Sequence, residues 1–250
     1  MAGRLPLALV TGGARRLGRA FALALARQGY AIALHYHASE QMAETTAAEI
    51  RALGVPVFPL QADLAQPDEI ERLFNEIDNL IADPSFNIQH STLDVLINSA
   101  ALMPRGDVRT LTAADFDAVI ALNLRAPFLC AQQAARRMPP GGLIVNISDI
   151  GAAKAWTGFP AYTVSKAGLE SLTKILARAL APDIRVNAIA PGLVLPSEDM
   201  PAAEWMRLVS RLPAKRPADL DEVASALEFL IKNEYIIGQT IAIDGGYSLL

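Results

Sequence analysis

The chain has 250 residues, of which 52% are hydrophobic and 19% are charged, so it can bury a large core. Its 22 basic and 26 acidic residues give a net charge of −4 without any basic block, which argues against nucleic acid or an anionic membrane as a partner. The single cysteine, Cys130, excludes an internal disulfide and suits a reducing compartment.

The N-terminal segment, residues 1–13, contains a short apolar run that leads into a turn. This pattern is typical of a first strand rather than of a signal peptide. No apolar run approaches the length of a membrane span. We therefore expect a cytoplasmic protein that acts on a small molecule.

Apolar strands and amphipathic helices alternate along the chain. Strands are predicted at residues 7–10, 31–36, 55–60, 93–98, 142–148, 184–190 and 238–246. Helices are predicted at residues 17–29, 39–54, 67–81, 161–181 and near 112–137. Such alternation implies a doubly wound parallel sheet of about seven strands, with helices on both faces and right-handed crossovers. No linker interrupts the series, so residues 1–250 are predicted to form a single α/β domain.

The sequence TGGARRLG, residues 11–18, follows the first strand. Its glycines, Gly12, Gly13 and Gly18, would let backbone N–H groups approach a pyrophosphate at a helix N-terminus, although glycines also make ordinary strand–helix turns. Arg15 and Arg16 favour the phosphate interpretation, because positive charge at a helix N-terminus opposes the helix dipole unless an anion binds there.

The sequence HYHAS, residues 35–39, follows the second strand. A cofactor with a free ribose 2′-hydroxyl usually meets an acid at this point, and none is present. His35, His37 and Ser39 offer hydrogen-bond donors instead, which favours a 2′-phosphate and hence NADP over NAD. The alternative is an exposed strand end. A metal site is not expected, because no cysteine and no third ligand lie at suitable spacing.

Two further strand ends carry small or polar residues. Asp63, in QADL, could accept a hydrogen bond from an adenine amino group, or it could cap the helix that begins near Pro67. The small residues of NSAA, residues 98–101, leave room for a flat ring system. Ligands of doubly wound sheets bind at such carboxyl ends of strands.

Tyr162 and Lys166, in YTVSK, lie four residues apart and would share one helix face. A nearby ammonium would lower the pKa of the tyrosine, which makes Tyr162 a candidate general acid. A tyrosine–lysine pair at this spacing is common by chance. Its position, one loop after the fifth strand and at the start of a helix, makes the pair specific.

Together these motifs resemble the short-chain dehydrogenase/reductase family over nearly the whole chain. The resemblance is carried by TGGARRLG, ADL, NSAA, Asn123 in NLRAPF, YTVSK, PG at 191–192 and DGGYS near the end. It implies a Rossmann-type fold and hydride transfer from nicotinamide, with Tyr162 as proton donor. Lys166 would hold the nicotinamide ribose and tune Tyr162, and Asn123 would support a proton-relay water.

The resemblance also implies an NADP(H) site and a homotetramer. Apolar Leu169, Leu172 and Leu176 in the predicted helix 161–181 support association, since a chain covered by its own elements would not need them. The expected cofactor-binding residues are Gly12, Arg15, Arg16, Leu17, Gly18, His35, Tyr36, His37, Ser39, Asp63, Leu64, Asn98, Ser99, Ala100, Tyr162, Lys166, Pro191, Gly192, Leu193 and Val194.

Two departures from the family pattern narrow the interpretation. Most members have a serine thirteen residues before the tyrosine, where this chain has Asp149 preceded by Ser148, and most have glycine in place of Arg16. Both features resemble the pteridine reductases, as do HYHAS, residues 198–205 and the terminal DGGYSL. An ionised aspartate can only accept hydrogen bonds, so it suits a substrate that presents N–H groups, as a pterin does. The alternative is that Asp149 caps the next turn while Ser148 takes the family role.

The substrate side departs from the pteridine reductases at one position. Met103 stands where those enzymes have an aromatic residue, and methionine packs on a ring less rigidly. Phe159 is expected to supply an aromatic wall, and Trp205 either lines the site on a flap of residues 196–212 or packs elsewhere. Ala38 replaces a basic residue of that branch, which removes one contact to the 2′-phosphate. The expected substrate-binding residues are Arg16, Met103, Asp149, Phe159 and Tyr162.

Three functional hypotheses remain. The first is an NADPH-dependent pteridine reductase whose catalytic residues are Tyr162, Lys166, Asp149 and Asn123. The second is a carbonyl reductase, for example of 3-oxoacyl thioesters, which Met103 favours and which Arg16 and Asp149 disfavour. The third is a non-catalytic dinucleotide sensor, which would not need the intact proton donor.

Overall fold

Seven parallel strands form one sheet in the part of the chain that the structure, a computed structural model, describes: residues 5–86, 88, 91–197 and 200–250. The strands are β1 (Leu7–Thr11), β2 (Ala31–Tyr36), β3 (Val57–Gln61), β4 (Leu93–Asn98), β5 (Gly142–Ile147), β6 (Ile184–Pro191) and β7 (Thr240–Ile243). Their order across the sheet is β3-β2-β1-β4-β5-β6-β7. The order reverses between β1 and β4, where sheets of this kind open a crevice for a ligand.

Helices cover both faces of the sheet. They are α1 (Arg16–Arg27), α2 (Glu40–Ala52), α3 (Pro67–Ala82), α4 (Ala113–Ile120), α5 (Ala126–Ala135), α6 (Pro160–Leu180), α7 (Ala202–Arg211) and α8 (Leu220–Lys232). Helices α1, α2 and α8 pack into one apolar core, and α3, α5 and α6 pack into the other. The predicted single α/β domain with a doubly wound parallel sheet is confirmed for the fold class.

Strand β1 shows why the strands read as continuous apolar runs. Leu7 and Leu9 belong to the core that contains α3, whereas Ala8 and Val10 belong to the core that contains α1. Side chains alternate between the two faces of a strand, so a sheet covered on both faces needs apolar residues at every position. Burying each large apolar side chain contributes roughly 1.5–3 kcal/mol.

Three strands are shorter than predicted, and two helices were not predicted. β5 ends at Ile147, one residue before its predicted end. β3 begins at Val57 rather than at residue 55, because Pro56 has no N–H group to donate to a neighbouring strand. β7 spans 240–243 rather than 238–246. Helix α7 lies within the predicted flap, whose residues Glu198 and Asp199 fall outside the described residues. Helix α8 begins with a capping box formed by Asp219 and Glu222, a signal that the sequence contains.

The long helix predicted near residues 112–137 is interrupted by a π-helical turn at residues 121–125, between α4 and α5. Pro127 follows this turn, and a proline cannot donate to the carbonyl four residues earlier, which is that of Asn123. The N–H group of Ala126 donates instead to the carbonyl of Ala121, five residues earlier. Such π-turns are frequent at functional sites, and this one contains Asn123.

The three leucines that were expected to support a tetramer pack inside the subunit instead. Leu169 and Leu176 are buried in α6, and Leu172 packs against the core that contains α3. The helical spacing of apolar residues therefore serves the chain's own core, and the inference from these leucines was wrong. A homotetramer stays a prediction from family resemblance alone.

A chain of buried amides joins the two central strands to α6. Asn98 Nδ2 donates to Asn146 Oδ1 at 2.9 Å, and Asn146 Nδ2 donates to Thr173 Oγ1 at 2.9 Å. Thr173 donates in turn to the carbonyl of Leu169 at 2.8 Å. All three side chains are at most 4% exposed, so each polar atom depends on its neighbour for a partner.

We expect Asn146→Ala to destabilise the fold, because it leaves the amide of Asn98 without its acceptor and Thr173 without its donor. An unsatisfied buried polar group costs roughly 1–3 kcal/mol, and the lost packing adds to this. The measurement is the free energy of unfolding in urea. Asn79→Ala, at an exposed position of α3, is the matched control. Equal stability of the two variants would contradict the prediction.

Candidate active site

A cavity of about 900 Å³ opens at the carboxyl ends of the central strands. It runs from the turn before α1, past the ends of β2 and β4, to the start of α6 and the segment after β6. The predicted residues that line it are Gly12, Arg15, Arg16, Leu17, Gly18, His35, Tyr36, His37, Ser39, Asp63, Leu64, Ser99, Ala100, Met103, Asp149, Phe159, Tyr162, Lys166, Pro191, Gly192, Leu193 and Val194. Asn98 and Asn123, which were also predicted, do not line it.

The glycines of the first turn are required by close packing of the backbone. Gly12 has a φ of +63°, and a Cβ atom there would lie 2.9 Å from the Cα of Ala100. A Cβ atom on Gly18 would lie 2.1 Å from the carbonyl oxygen of Gly12. A side chain at Gly12 would push the turn away from the segment after β4, and one at Gly18 would push α1 away from the turn itself.

Thr11 fixes this turn to β4 and was not among the predicted site residues. Its hydroxyl donates to the carbonyl of Ile97 at 3.3 Å and accepts from the N–H groups of Ser99 (2.9 Å) and Ala100 (3.1 Å). The threonine thereby joins the end of β1 to the segment after β4. The sequence offered a signal, since Thr11 opens the glycine-rich motif.

Arg16 adopts a backbone conformation that favours glycine. Its φ is +53°, in the left-handed region, which costs a residue with a side chain roughly 1–2 kcal/mol. Its guanidinium group donates to the carbonyls of Leu195 (3.1 Å) and Pro196 (3.0 Å). The side chain therefore links the first turn to the segment after β6, across the cavity. Strain of this kind persists where a side chain has a function.

The structure corrects the predicted role of His35 as a donor to a phosphate. Its side chain is 2% exposed, and Nδ1 accepts from the N–H group of Gly12 at 3.0 Å. Nε2 lies 3.0 Å from the carbonyl of Ala62, which can only accept, so Nε2 carries the proton. Both ring nitrogens are thus used within the protein. His35 positions the turn at Gly12, and His37 is the exposed histidine of the pair.

Ser39 and Asp63 line the cavity and retain polar atoms that can bind a ligand. Ser39 lies at the N-cap position of α2, but its hydroxyl makes no capping hydrogen bond. One carboxylate oxygen of Asp63 accepts from the N–H group of Ala65 at 3.0 Å and supports the turn before α3. The cap position of α3 itself is Gln66 rather than Asp63.

Asp149 caps the next turn, which was one of the two alternatives for it, and also bonds Tyr162. Its Oδ1 accepts from the N–H group of Gly151 at 2.7 Å, which caps the short turn that follows β5. Its Oδ2 accepts from the hydroxyl of Tyr162 at 2.8 Å. The hydroxyl of Ser148 instead donates to Glu170 at 2.9 Å. The carboxylate, and not the neighbouring hydroxyl, therefore stands beside Tyr162.

Burial sets the protonation of this cluster. Burial raises the pKa of Asp149, against the opposing effects of the Gly151 N–H group, Tyr162 and Lys166. Burial, followed by the charge of Asp149, raises the pKa of Tyr162 well above its usual value. Burial also lowers the pKa of Lys166 to about 8, which the charge of Asp149 partly offsets.

The expected lowering of the pKa of Tyr162 by Lys166 is absent from this arrangement. Lys166 Nζ donates to the carbonyl of Ile147 at 2.6 Å and lies 5.6 Å from the centroid of the tyrosine ring. The carboxylate of Asp149 is the group that bonds the phenol, and its negative charge disfavours tyrosinate. Tyr162 is therefore protonated at neutral pH, as a proton donor must be.

Asn123 holds the wall of the cavity. Its Oδ1 accepts from the N–H group of Leu102 and its Nδ2 donates to the carbonyl of the same residue, both at 2.8 Å. Nδ2 also contacts Ser165 Oγ at 3.1 Å. These bonds fix the segment after β4 against α6. The predicted role of Asn123 toward a relay water stays a prediction.

The substrate side is richer in aromatic residues than the sequence indicated. Trp205, on α7, lines the cavity together with Met103 and Phe159. Trp156, which was not predicted, lines it as well and packs edge-to-face on Phe159 with ring centroids 6.4 Å apart. Its position three residues before Phe159, in the loop that leads to α6, was the available signal.

Other features of the described residues are negative. No three histidine, cysteine or acidic side chains gather in a way that could hold a metal ion. No described helix combines the length and the apolar character that spanning a bilayer requires.

Several known proteins similar to this chain are reductases. The family described as enoyl-(acyl carrier protein) reductase matches residues 12–248. The 3-oxoacyl-[acyl-carrier-protein] reductase FabG of Staphylococcus epidermidis is 35% identical over 246 residues, which cover 96% of this chain and 97% of that protein.

Two solved structures share the fold at similar identity. FolM alternative dihydrofolate reductase 1 from Brucella canis, complexed with NADP, has a TM-score of 0.86 and 36% identity, and the match covers 100% of this chain and 96% of that one. The promiscuous reductase LugOII, which catalyses keto-reduction at C1 during lugdunomycin biosynthesis, has a TM-score of 0.89 and 35% identity, with 99% and 100% covered.

We expect the buried imidazole of His35, which joins Gly12 to Ala62, to make the free energy of unfolding depend on pH. Burial lowers the pKa of His35 to about 4, whereas a histidine in the unfolded chain titrates near 6.5. Between these values only the unfolded chain binds the proton, so stability falls as pH falls from about 6.5 to about 4, by roughly 3 kcal/mol in all.

The test is the free energy of unfolding in urea between pH 4 and pH 7.5. His35→Leu should be less stable at neutral pH, because Gly12 and Ala62 lose their partner. Its unfolding should take up about one proton fewer at acidic pH, so that its free energy of unfolding varies less with pH. His37→Gln is the matched control for loss of an exposed histidine. Parallel pH profiles of the wild type and His35→Leu would show that His35 is not the source of the pH dependence.

Proposed function

This chain belongs to the short-chain dehydrogenase/reductase family, in which it is an NADP-dependent oxidoreductase, and we propose that its substrates are pteridines. One observation carries the proposal. The carboxylate of Asp149 occupies the position where most members of the family have serine, and it accepts a hydrogen bond from Tyr162 inside the cavity. The similarity to a FolM dihydrofolate reductase supports the same substrate class.

The lining of the cavity fits NADP(H). None of residues 35–39 is acidic, and Arg15, Arg16, His37 and Ser39 provide cationic and hydroxyl groups for a 2′-phosphate at this end. Lys166 and Tyr162 lie at the opposite end, where the nicotinamide would bind. When bound, NADPH supplies the hydride of the reaction.

The residues of the chain supply the proton and the orientation. An N–H group of a pterin would donate to Asp149 Oδ2 in place of Tyr162, which would free the phenol to donate to the substrate. The bond from Gly151 to Oδ1 keeps the carboxylate in position during this exchange. The ammonium of Lys166 would then stabilise the tyrosinate that remains.

A carbonyl substrate is served less well by the same geometry. Its oxygen needs a second donor beside Tyr162, but the hydroxyl of Ser148 donates to Glu170 and an ionised Asp149 can only accept. This difference favours a nitrogen-rich ring over a simple ketone.

A second candidate is the reduction of 3-oxoacyl thioesters. It is favoured by the 35% identity to FabG over 96% of the chain. For this reaction Asp149 would donate to the substrate carbonyl in its protonated form, which burial promotes by raising the pKa of Asp149. The assay that separates the candidates follows NADPH oxidation with dihydrobiopterin, dihydrofolate, dihydromonapterin and an acetoacetyl thioester. Turnover of the thioester alone would exclude the pteridine proposal.

We expect Asp149→Ser to reduce the kcat/KM for a dihydropterin by about 10²–10⁴-fold, because the substrate loses its acceptor and Tyr162 loses its partner. The affinity for NADPH should change little. Asp149→Asn should be similarly damaging, because it removes the negative charge. Its amide oxygen can still accept from Gly151. Activity on a simple ketone should appear or rise in the serine variant.

Two further variants control this experiment. Tyr162→Phe should abolish proton donation to every substrate. Ser148→Ala should leave pteridine reduction nearly intact, because the Ser148 hydroxyl is engaged with Glu170. Unchanged pteridine turnover in Asp149→Ser would mean that Asp149 only caps its turn.

We also expect NADPH to be preferred over NADH, and Ser39→Asp to reverse this preference. A carboxylate at this position would repel the 2′-phosphate and raise the KM for NADPH by at least about tenfold. Aspartate is a good N-cap residue, so the variant should fold. The measurement is kcat/KM with each cofactor.

Ser39→Asn is the matched control, because asparagine caps a helix equally well without the charge. It should keep most of the preference for NADPH. If the aspartate and asparagine variants lose the same amount, the 2′-phosphate does not bind beside Ser39.

A further inference from the structure

We propose that Arg105 forms an anion-binding subsite at the mouth of the cavity, which holds the negatively charged tail of the substrate. This inference deepens the proposed function and rests on it, since it names a second part of the molecule that the same site reduces. The ligand chemistry is a carboxylate or a phosphate that lies remote from the reacting group.

The position of Arg105 suits this role. It lies in the loop between β4 and α4 and lines the cavity, and 56% of its side chain is exposed. Its guanidinium group stands 5.2 Å from the centroid of the Phe159 ring. Packing on an aromatic ring restrains the guanidinium, and its N–H groups, one of which donates to Glu204, can still bind an acceptor. An anion can therefore reach a donor that is already held in place.

The present partner of Arg105 can be exchanged. Its Nη2 donates to Glu204 Oε1 at 3.1 Å, and Glu204 belongs to α7 on the other side of the mouth. Both side chains are partly exposed, and exposed ion pairs contribute little to stability. A substrate carboxylate or phosphate would replace Glu204 at the guanidinium without leaving a buried charge unpaired.

The remaining cations of the described lining are placed for other tasks. Arg15 and Arg16 lie at the start of α1, and Lys166 is buried and donates to Ile147. The guanidinium of Arg16, which was also expected at the substrate, is engaged with the carbonyls of Leu195 and Pro196, so Arg105 is the cation of the described substrate side that has an exchangeable partner. Phe159, on which it packs, directly precedes the helix that carries Tyr162. The ring of Phe159 therefore lies between Tyr162, where the substrate would react, and the guanidinium of Arg105, where its charged tail would bind.

Two pairs of substrates test the subsite. Dihydrofolate carries a glutamate tail with carboxylates, whereas the tail of dihydrobiopterin is neutral. Acetoacetyl-coenzyme A carries phosphates, whereas the acetoacetyl thioester of N-acetylcysteamine does not. The KM of each compound is measured for the wild type, Arg105→Gln and Glu204→Gln. The two pairs distinguish a carboxylate from a phosphate as the anion.

The two variants should act in opposite directions. Arg105→Gln should raise the KM of the charged member of a pair by about tenfold, the effect of losing one charge-assisted hydrogen bond, and leave the neutral member unchanged. Glu204→Gln should lower the KM of the charged member, because it removes the competing carboxylate. Arg109→Gln is the matched control, since Arg109 is 85% exposed in the same loop and does not line the cavity.

The outcomes separate the subsite from the proposed function. If the ion pair between Arg105 and Glu204 only joins the two sides of the cavity entrance, both variants change the KM of charged and neutral substrates alike and in the same direction. That result overturns the subsite. If neither pterin is reduced but the thioesters are, the pteridine proposal fails and the thioester pair decides the subsite. If none of the four compounds is reduced, both proposals are wrong.

Discussion

The hydrogen bond from Tyr162 to Asp149 is the contact on which the chemistry of the cavity depends. It joins α6 to the end of β5, and the bond from Lys166 to Ile147 joins the same two elements. The acid, its partner and the lysine are consequently held by the packing of one helix on one strand. Under the proposed function, the substrate has to fit a protonated phenol and a carboxylate at fixed positions, and few chemical groups satisfy both.

Burial favours the uncharged form of two ionisable residues that line the cavity, by lowering the pKa of His35 and raising that of Asp149. At His35 it keeps the imidazole neutral, so that Nδ1 can accept from Gly12 and hold the first turn. At Asp149 it favours the protonated acid, so that the residue lies closer to a change of charge than an exposed aspartate does. The neutral His35 stabilises the first turn, whereas the raised pKa of Asp149 allows a bound ligand to change its charge more easily.

Much of the fold and the outline of the site could be predicted from the sequence. Alternating strands and helices specify a doubly wound sheet, and the carboxyl ends of its strands specify where polar residues meet. The structure brings the residues of those strand ends to one cavity, apart from Asn98, whose amide faces Asn146 in the core. Local pattern was sufficient for these residues because each of their motifs directly follows a strand.

The remainder depended on contacts between distant parts of the chain. Sequence alone treats His35 as a donor, and only the approach of Gly12 and Ala62 shows that both nitrogens are engaged. Helical spacing of leucines cannot distinguish a subunit's own core from an interface, which is why Leu169 was assigned to association. Lys166 lies near Tyr162, as predicted, but the distribution of charge around them is set by Asp149.

The left-handed backbone of Arg16 means that the residue best for stability at this position differs from the residue best for activity. Glycine at this position would relieve the strain, so a library screened only for resistance to heat or protease should accumulate that replacement. The same change would remove both bonds to the segment after β6 and a positive charge that is proposed to hold the 2′-phosphate of NADP(H). A thermostable form of this enzyme obtained without an activity screen is therefore prone to be a poorer catalyst, and position 16 is where the conflict would first be visible.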